Sequence, residues 1–347
     1  MEHPTVEKAD LDWPNLTFSY TKTDYNVRMT WRNGKWSEPR LHASAEIPLS
    51  VAATCLHYGQ AAFEGLKVFE DPHGRPRVFR VEQNARRMIR TAEKVLMAPV
   101  PEELFIECVL CCVKANLRFV PPHGSGASLY VRPLLIGTGS RVGVMPADEY
   151  TFVVLVTPVG AYFKTGFKPV DLIVETKVDR AAPLGVGDVK VAGNYAAGMR
   201  ATKKAKDAGF ADVLYLDARE KKYIDESGPA NFFGITRDDR YVTPDSESIL
   251  PSIINMSLRQ LAKDMGMKVE QRHVHVEEIF DFVEAGCCGT AAVITPVRRI
   301  VFGNREVVYS KDGKPGRRCQ QLYETLRAIQ DGDRPDPYGW MRDVPLD

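Results

Sequence analysis

Apolar residues recur at every second position in several short runs of this chain and at every third or fourth position in a few longer ones, a pattern that predicts strands mixed with helices. The run VRMTWRNGKW from Val27 to Trp36 predicts two short strands around an Asn33-Gly34 turn, because that pair tolerates the positive φ of a tight hairpin. Glu82 to Val95 and Pro101 to Phe119 predict helices covering this first sheet, the second with Leu104, Cys108, Cys111 and Ala115 on its apolar face. Strands are predicted again at Ser128 to Ile136 and Tyr150 to Val156. Past a stretch of Gly, Lys and Pro come short strands at Leu172 to Thr176, Val213 to Asp217, Lys222 to Asp225 and Asn231 to Thr236, with helices at Ala196 to Ala208 and Ser252 to Met265.

This order reads as α+β with a barrel-like second part. At 347 residues the chain exceeds the roughly 250 to 300 at which single cores stop growing, so two domains are expected: 1–163, a linker at 164–170, and 171–347. Hydrophobic residues make up 44%, too many for a disordered chain. The 46 basic residues balance 45 acidic ones, so no field favours nucleic acid or an anionic membrane as partner. The longest apolar stretch, near Tyr150 to Phe163, is broken by Pro158 and Gly160 and is too short to span a bilayer. The N-terminal residues are acidic and lack an apolar core, unlike a secretory signal, and seven cysteines are too few and too odd to be staples, so a reducing cytoplasm is expected.

Three segments carry chemistry. Gly185-Val-Gly-Asp-Val-Lys190-Val-Ala-Gly193 places one lysine between glycine turns and among small apolar neighbours, where partial desolvation favours the neutral amine that condenses with an aldehyde. Taken alone, a lysine is ordinarily a solvated surface residue. Tyr223-Ile-Asp225-Glu226-Ser227-Gly228-Pro229-Ala-Asn231 sets two acids at a strand turn; Glu226 suits a protonated pyridine nitrogen, although Asp and Gly also serve turns for backbone reasons. Leu250-Pro251-Ser252-Ile253-Ile254 opens a helix that Ser252 would cap, presenting the Ile253 and Ile254 amides to an anion, as any capped helix does.

Together these segments resemble the branched-chain amino acid aminotransferases of PLP fold type IV over nearly the whole chain. The resemblance also rests on His57-Tyr58-Gly-Gln-Ala-Ala-Phe63-Glu64-Gly65-Leu-Lys67, Asn84-Ala-Arg86-Arg87-Met88, Ser128-Leu-Tyr130-Val-Arg132-Pro133, Val159-Gly-Ala-Tyr-Phe163 and Gly289-Thr290-Ala291. It implies a smaller N-terminal α/β domain and a larger C-terminal pseudo-barrel α/β domain, a homodimer, and amino transfer between L-leucine, L-isoleucine or L-valine and 2-oxoglutarate, yielding L-glutamate and branched-chain 2-oxo acids. It implies pyridoxal 5′-phosphate on Lys190, with Lys190 also moving the substrate proton. Glu226 would then pair with the ring nitrogen, Tyr195 with the phenolic oxygen, and Arg87, Ile253, Ile254 and Thr290 with the phosphate. Substrate would meet Phe18, Tyr58, Phe63, Tyr130, Arg132 and Val144, with its α-carboxylate on the amides of Thr290 and Ala291.

Two departures stand out. Ala292-Val-Ile-Thr295 replaces the Cys-x-x-Cys of mammalian relatives, and Ser227-Gly-Pro229 follows the glutamate where relatives often have Val-Gly-Thr or Val-Gly-Ala. Pro229 has no N–H to donate. Cys108 and Cys111 have redox spacing but belong on an apolar helix face, and His273-Val-His275 lacks a third metal ligand. Gly137 to Gly143 has the wrong spacing for a dinucleotide fingerprint and reads as a turn. D-amino acid aminotransferases, aminodeoxychorismate lyases and a non-catalytic protein of this fold remain the alternatives, the last opposed by the intact Lys190, Glu226, Arg87 and Tyr195.

Overall fold

A computed structural model describes residues 6–160 and 167–346, so part of the expected linker and Ala161 to Phe163 of the motif that begins at Val159 lie outside the described residues. Contacts divide the chain into two units: 1–164 with 190–193 and 328–347, and 165–189 with 194–327. The departures from a single cut have a cause in strand pairing, described below.

The first unit is an antiparallel sheet. Its strands are β1 (Asn26–Arg32), β2 (Lys35–Trp36), β3 (Arg40–His42), β4 (Ala61–Phe63), β5 (Leu66–Glu70), β6 (Pro76–Phe79), β7 (Ser128–Gly137) and β8 (Glu149–Val159). The expected hairpin forms: Trp31 faces Trp36, Arg32 faces Lys35, and Asn33 and Gly34 take φ of 53° and 83°. A short helix α1 (Thr54–Tyr58) precedes β4. Two longer helices, α2 (Val81–Lys94) and α3 (Glu102–Lys114), bury Met88, Ala92, Phe105, Val109 and Val113 against Met29, Leu129, Phe152 and Val154 of the sheet.

Helix α3 is shorter than the periodicity predicts, and its core face is rotated. It stops at Lys114 because Asn116 turns its amide back onto the carbonyls of Cys112 (2.7 Å) and Tyr25 (3.0 Å) while accepting from the Tyr25 N–H; a 3-10 turn at Leu117–Phe119 completes the segment. Cys108 and Cys112, four residues apart, face the core, whereas Cys111 is only half-buried.

The second unit has β9 (Val170–Glu175), β10 (Asp212–Leu216), β11 (Ile224–Ser227), β12 (Ala230–Ile235), β13 (Arg240–Pro244), β14 (Lys268–Arg272), β15 (Glu284–Gly289), β16 (Val293–Phe302) and β17 (Arg305–Val308). Pairing runs β11-β10-β9-β16-β15-β12, and β12 pairs with β11 again, so six strands close into a ring. Closure removes open edges, the standing hazard of a sheet. Of the three parallel pairs, β9 with β16 joins strands far apart in the chain, and the two between consecutive strands use helical crossovers: α4 (Ala192–Asp207) links β9 to β10, and α5 (Ile253–Asp264) links β13 to β14. Alternation decides what faces inward, since Leu214 and Leu216 join Leu172, Phe232 and Ile300 in one core while Val213 and Tyr215 meet Ala201 and Ala205 of α4.

A last helix, α6 (Arg317–Asp331), leads to β18 (Met341–Asp343), which pairs with β6 and so returns the C-terminal residues to the first unit. Among the described residues no helix is long and apolar enough to cross a membrane. The helices and strands make the chain α+β, as the pattern predicts.

Candidate active site

Lys190 is held by its backbone. Its N–H donates to Thr91 Oγ1 (3.1 Å), its carbonyl accepts from the Phe63 N–H (3.2 Å), and Val191 bridges to Ala62 on β4. These bonds draw 190–193 into the first unit and leave the half-buried side chain to be placed by what it meets, with Nζ 4.5 Å from the centroid of Phe63. The same ring carries the Arg132 guanidinium at 4.7 Å. Arg132 in turn donates to Tyr130 Oη (3.0 Å), and the Tyr130 ring meets Phe18 edge-on at 5.1 Å. Five expected residues, Phe18, Phe63, Tyr130, Arg132 and Lys190, thus form one chain of contacts, apolar except for two cations. Arg132 Nε is buried and has no acceptor among the described residues.

Gly65 makes room for this cluster, since a Cβ there would lie 2.0 Å from Tyr130 Oη.

Tyr58 and Val144 belong to different surroundings. Tyr58 donates its hydroxyl to the Val142 carbonyl, and both Val142 and Val144 are more than four-fifths exposed. Val51, Leu56 and Met145 are also exposed, and the Ala53–Ser140 bridge joins the two segments that carry these residues.

Arg87 lies on the buried face of α2, where Glu64 receives Nε at 2.7 Å and Nη2 at 2.8 Å. Asn84, one turn earlier, donates to the same carboxylate at 2.7 Å, and Glu64 is fully buried. A guanidinium has five N–H donors, and two of those on Arg87 face Glu64.

In the second unit, Glu226 is buried on β11 and faces Asn231 on β12 across the Gly228-Pro229 turn. Gly228 takes a φ of 50°, and Pro229 stands where the ladder asks for no N–H. Glu226 Oε1 accepts the Leu250 N–H, while Asn231 donates to the Leu250 carbonyl at 3.0 Å. The peptides on both sides of the Leu250 Cα are therefore held just ahead of α5. Ser252 caps α5 by accepting the Asn255 N–H (3.2 Å), as expected, and the Ile253 and Ile254 amides lie in the first turn, where no intrahelical acceptor exists. Arg180 also reaches Glu226, at 3.5 Å. Next to it, Asp225 accepts from Ser246 (2.8 Å), and burial pushes its carboxyl above the usual range.

Thr290 and Ala291 occupy the turn between β15 and β16, closed by Val293 at a φ of 65°, a left-handed conformation that a β-branched residue adopts only under constraint. Tyr195 lies in the first turn of α4. All seven cysteines are free, and burial pushes the Cys112 and Cys287 thiols up to about 12. No group of His, Cys, Asp or Glu suited to a metal occurs among the described residues.

Sequence reasoning gave no role to Glu64, Asn84, Arg180 or Asn231. The available signal was a set of charged and amide side chains inside runs of small or apolar residues, where only pairing makes burial tolerable.

The first unit supplies an amine, and the second a buried carboxylate close to a capped helix N-terminus, groups of the kinds that suit an aldehyde, a pyridine nitrogen and a phosphate. Residues 61–300 match the model of the family described as amino-transferase class IV. The chain is 47% identical over 338 residues to the branched-chain-amino-acid aminotransferase of Haemophilus influenzae, covering 96% of this chain and 98% of that one. It is also 47% identical over 343 residues to the branched-chain-amino-acid aminotransferase of Helicobacter pylori, covering 98% of this chain and 99% of that one. The crystal structure of the Escherichia coli branched-chain amino acid aminotransferase matches with a TM-score of 0.79 at 25% identity, covering 93% of this chain and all of that one.

Proposed function

This chain belongs to the class IV aminotransferases, and from that premise we infer that it is a pyridoxal 5′-phosphate-dependent branched-chain amino acid aminotransferase, moving the amino group between leucine, isoleucine or valine and 2-oxoglutarate. The observation that carries this reading is identity of nearly half the residues over nearly the full length of a relative of that name.

When bound, the cofactor supplies an aldehyde for condensation with amines and an electron-poor ring. The protein's part falls to named side chains. Lys190 Nζ would hold the cofactor and then carry the proton taken from substrate Cα. Glu226 would keep the ring nitrogen protonated, and Tyr195 would donate to the phenolic oxygen. The Ile253, Ile254 and Thr290 amides, with Arg87, would receive the phosphate.

Two substrates of opposite character must share one pocket. The rings of Phe18, Phe63 and Tyr130 would line it for an aliphatic side chain, while the Arg132 guanidinium, 4.7 and 5.2 Å from the centroids of Phe63 and Tyr130 and with Nε lacking an acceptor among the described residues, would meet the second carboxylate of 2-oxoglutarate together with Tyr58. The Thr290 and Ala291 amides would take the α-carboxylate. A homodimer would cover the exposed Val51, Leu56, Val142, Val144 and Met145 and bring Tyr58 and Val144 to the substrate. Free cysteines throughout support a cytoplasmic site of action.

The test is spectroscopic and enzymatic. Purified protein with pyridoxal 5′-phosphate should show a visible band that L-leucine removes and 2-oxoglutarate restores, with no response to D-alanine. A colourless protein, or one that responds only to D-alanine, would overturn the reading.

A further inference from the structure

Arginine at 180 is 9% exposed, and its guanidinium meets three separate segments of the second unit. Nη2 donates to the Gly187 carbonyl (3.1 Å), three residues before Lys190, and to the Ser248 carbonyl, in the loop that leads into α5. It also lies 3.5 Å from Glu226 Oε1, the oxygen that accepts the Leu250 N–H. The packing around this junction is close, because a Cβ on Gly187 would lie 2.4 Å from the Ser248 carbonyl oxygen and 3.0 Å from Arg180 Nη2. All three contacts are made by Nη2 at the end of a rigid planar group, a placement that a lysine ammonium on its flexible stem would not reproduce even though it supplies the charge.

We propose that Arg180 is a positioning residue for amino transfer: it ties the loop carrying Lys190 and the approach to α5 to Glu226, and so fixes the direction and charge of the carboxylate that serves the cofactor ring. This rests on the reading given above, in which Glu226 faces the ring nitrogen. With one oxygen engaged by Leu250 and Arg180, the carboxylate plane is set by the protein before any ligand arrives. Removing the guanidinium takes a cation from beside a buried carboxylate, and burial favours the neutral form. A neutral acid no longer stabilises a protonated ring nitrogen, so the effect reaches the chemistry through Glu226. Titratable groups near this carboxylate include Asp225, adjacent on β11, and Cys288 on β15.

The experiment compares wild type, Arg180→Met and Arg180→Lys as apoprotein and as protein loaded with pyridoxal 5′-phosphate. Three properties are read: the melting temperature without cofactor, the half-saturating cofactor concentration, and the pH dependence of the visible band. Arg180→Met is expected to weaken half-saturation on the order of tenfold or more and to displace the pH transition of the band. Arg180→Lys should recover the melting temperature but only part of the spectral change. If both variants match wild type in half-saturation and pH transition, or if only the melting temperature moves, the positioning role is refuted. Arg180→Lys keeps the test decisive should Arg180→Met fail to fold. A wild type that binds no pyridoxal 5′-phosphate would instead remove the functional reading, and this inference with it.

Discussion

Glu64 grips the Arg87 guanidinium through two bonds of 2.7 and 2.8 Å, with the acid wholly buried and the arginine 8% exposed. Charge-assisted forks of this kind are strong, and breaking one strands a charge in a dry interior. Glu64→Ala is therefore expected to destabilise the protein by about 3 to 5 kcal/mol, seen as a lowered denaturation midpoint. Glu64→Gln, which keeps an acceptor for Arg87, should lose less. Equal loss in both variants would contradict the expectation that a retained acceptor spares part of the stability.

Lys190 is fixed through its N–H and carbonyl, so removing the side chain leaves those bonds in place. Lys190→Ala is expected to melt within a few degrees of wild type yet to lose transamination of L-leucine by orders of magnitude, since no neighbouring amine substitutes for it. Borohydride treatment followed by peptide mapping checks the same point, because the cofactor should be trapped at position 190 in wild type and nowhere in the variant.

Gly65 borders Tyr130 so closely that even a methyl group has no room. Gly65→Ala should push Tyr130 off Arg132 and Phe18, costing about 1 to 3 kcal/mol of stability. The kinetic consequence should fall on 2-oxoglutarate more than on leucine, because Arg132 loses its hydroxyl partner. Steady-state KM values for the two substrates decide it.

Glu270 lies among Arg240 (2.5 Å), Lys268 (3.1 Å) and Arg272 (3.2 Å), and its bond to Arg240, followed by that to Lys268, holds its carboxyl down at about 2 against an ordinary 4.5. A carboxylate whose folded-state value is depressed stabilises the protein above the unfolded value and ceases to do so as pH falls through the folded one. Its contribution is thus fully present above about pH 4.5 and lost toward about pH 2. Melting temperature plotted against pH should fall less steeply across this window in Glu270→Gln than in wild type.

What could be read from the sequence was local. The Asn33-Gly34 hairpin, α2, α5 with its Ser252 cap, and the long strands β7 and β8 follow from spacing and turn chemistry within a few residues. The ends were less legible: α3 stops early because of an Asn116 bond to Tyr25, 91 residues away. Closure of the ring by β11 and β12, the return of β18 to β6, and the bridge from Val191 to Ala62 are pairings between distant segments that no periodicity encodes. Strands β13 to β17 and α6 went unread, although β16 alone runs ten residues. Among the candidate site residues, motif and residue type singled out Lys190 and Glu226. Their supports, Thr91, Arg180 and Asn231, were not singled out, because supporting a carboxylate or a backbone N–H demands only a donor or acceptor in the right place.

Leu250, its N–H held by Glu226 and its carbonyl by Asn231, locks the start of α5 at a constant offset from the acid on β11. That offset works as a gauge. A molecule that answers both the carboxylate and the helix amides must have its ring nitrogen and its anionic tail separated by that length, so a vitamer without the phosphate engages only one end and a bulkier one fits neither. On the reading proposed above, selectivity for the cofactor would rest on the bracing of a single residue, Leu250.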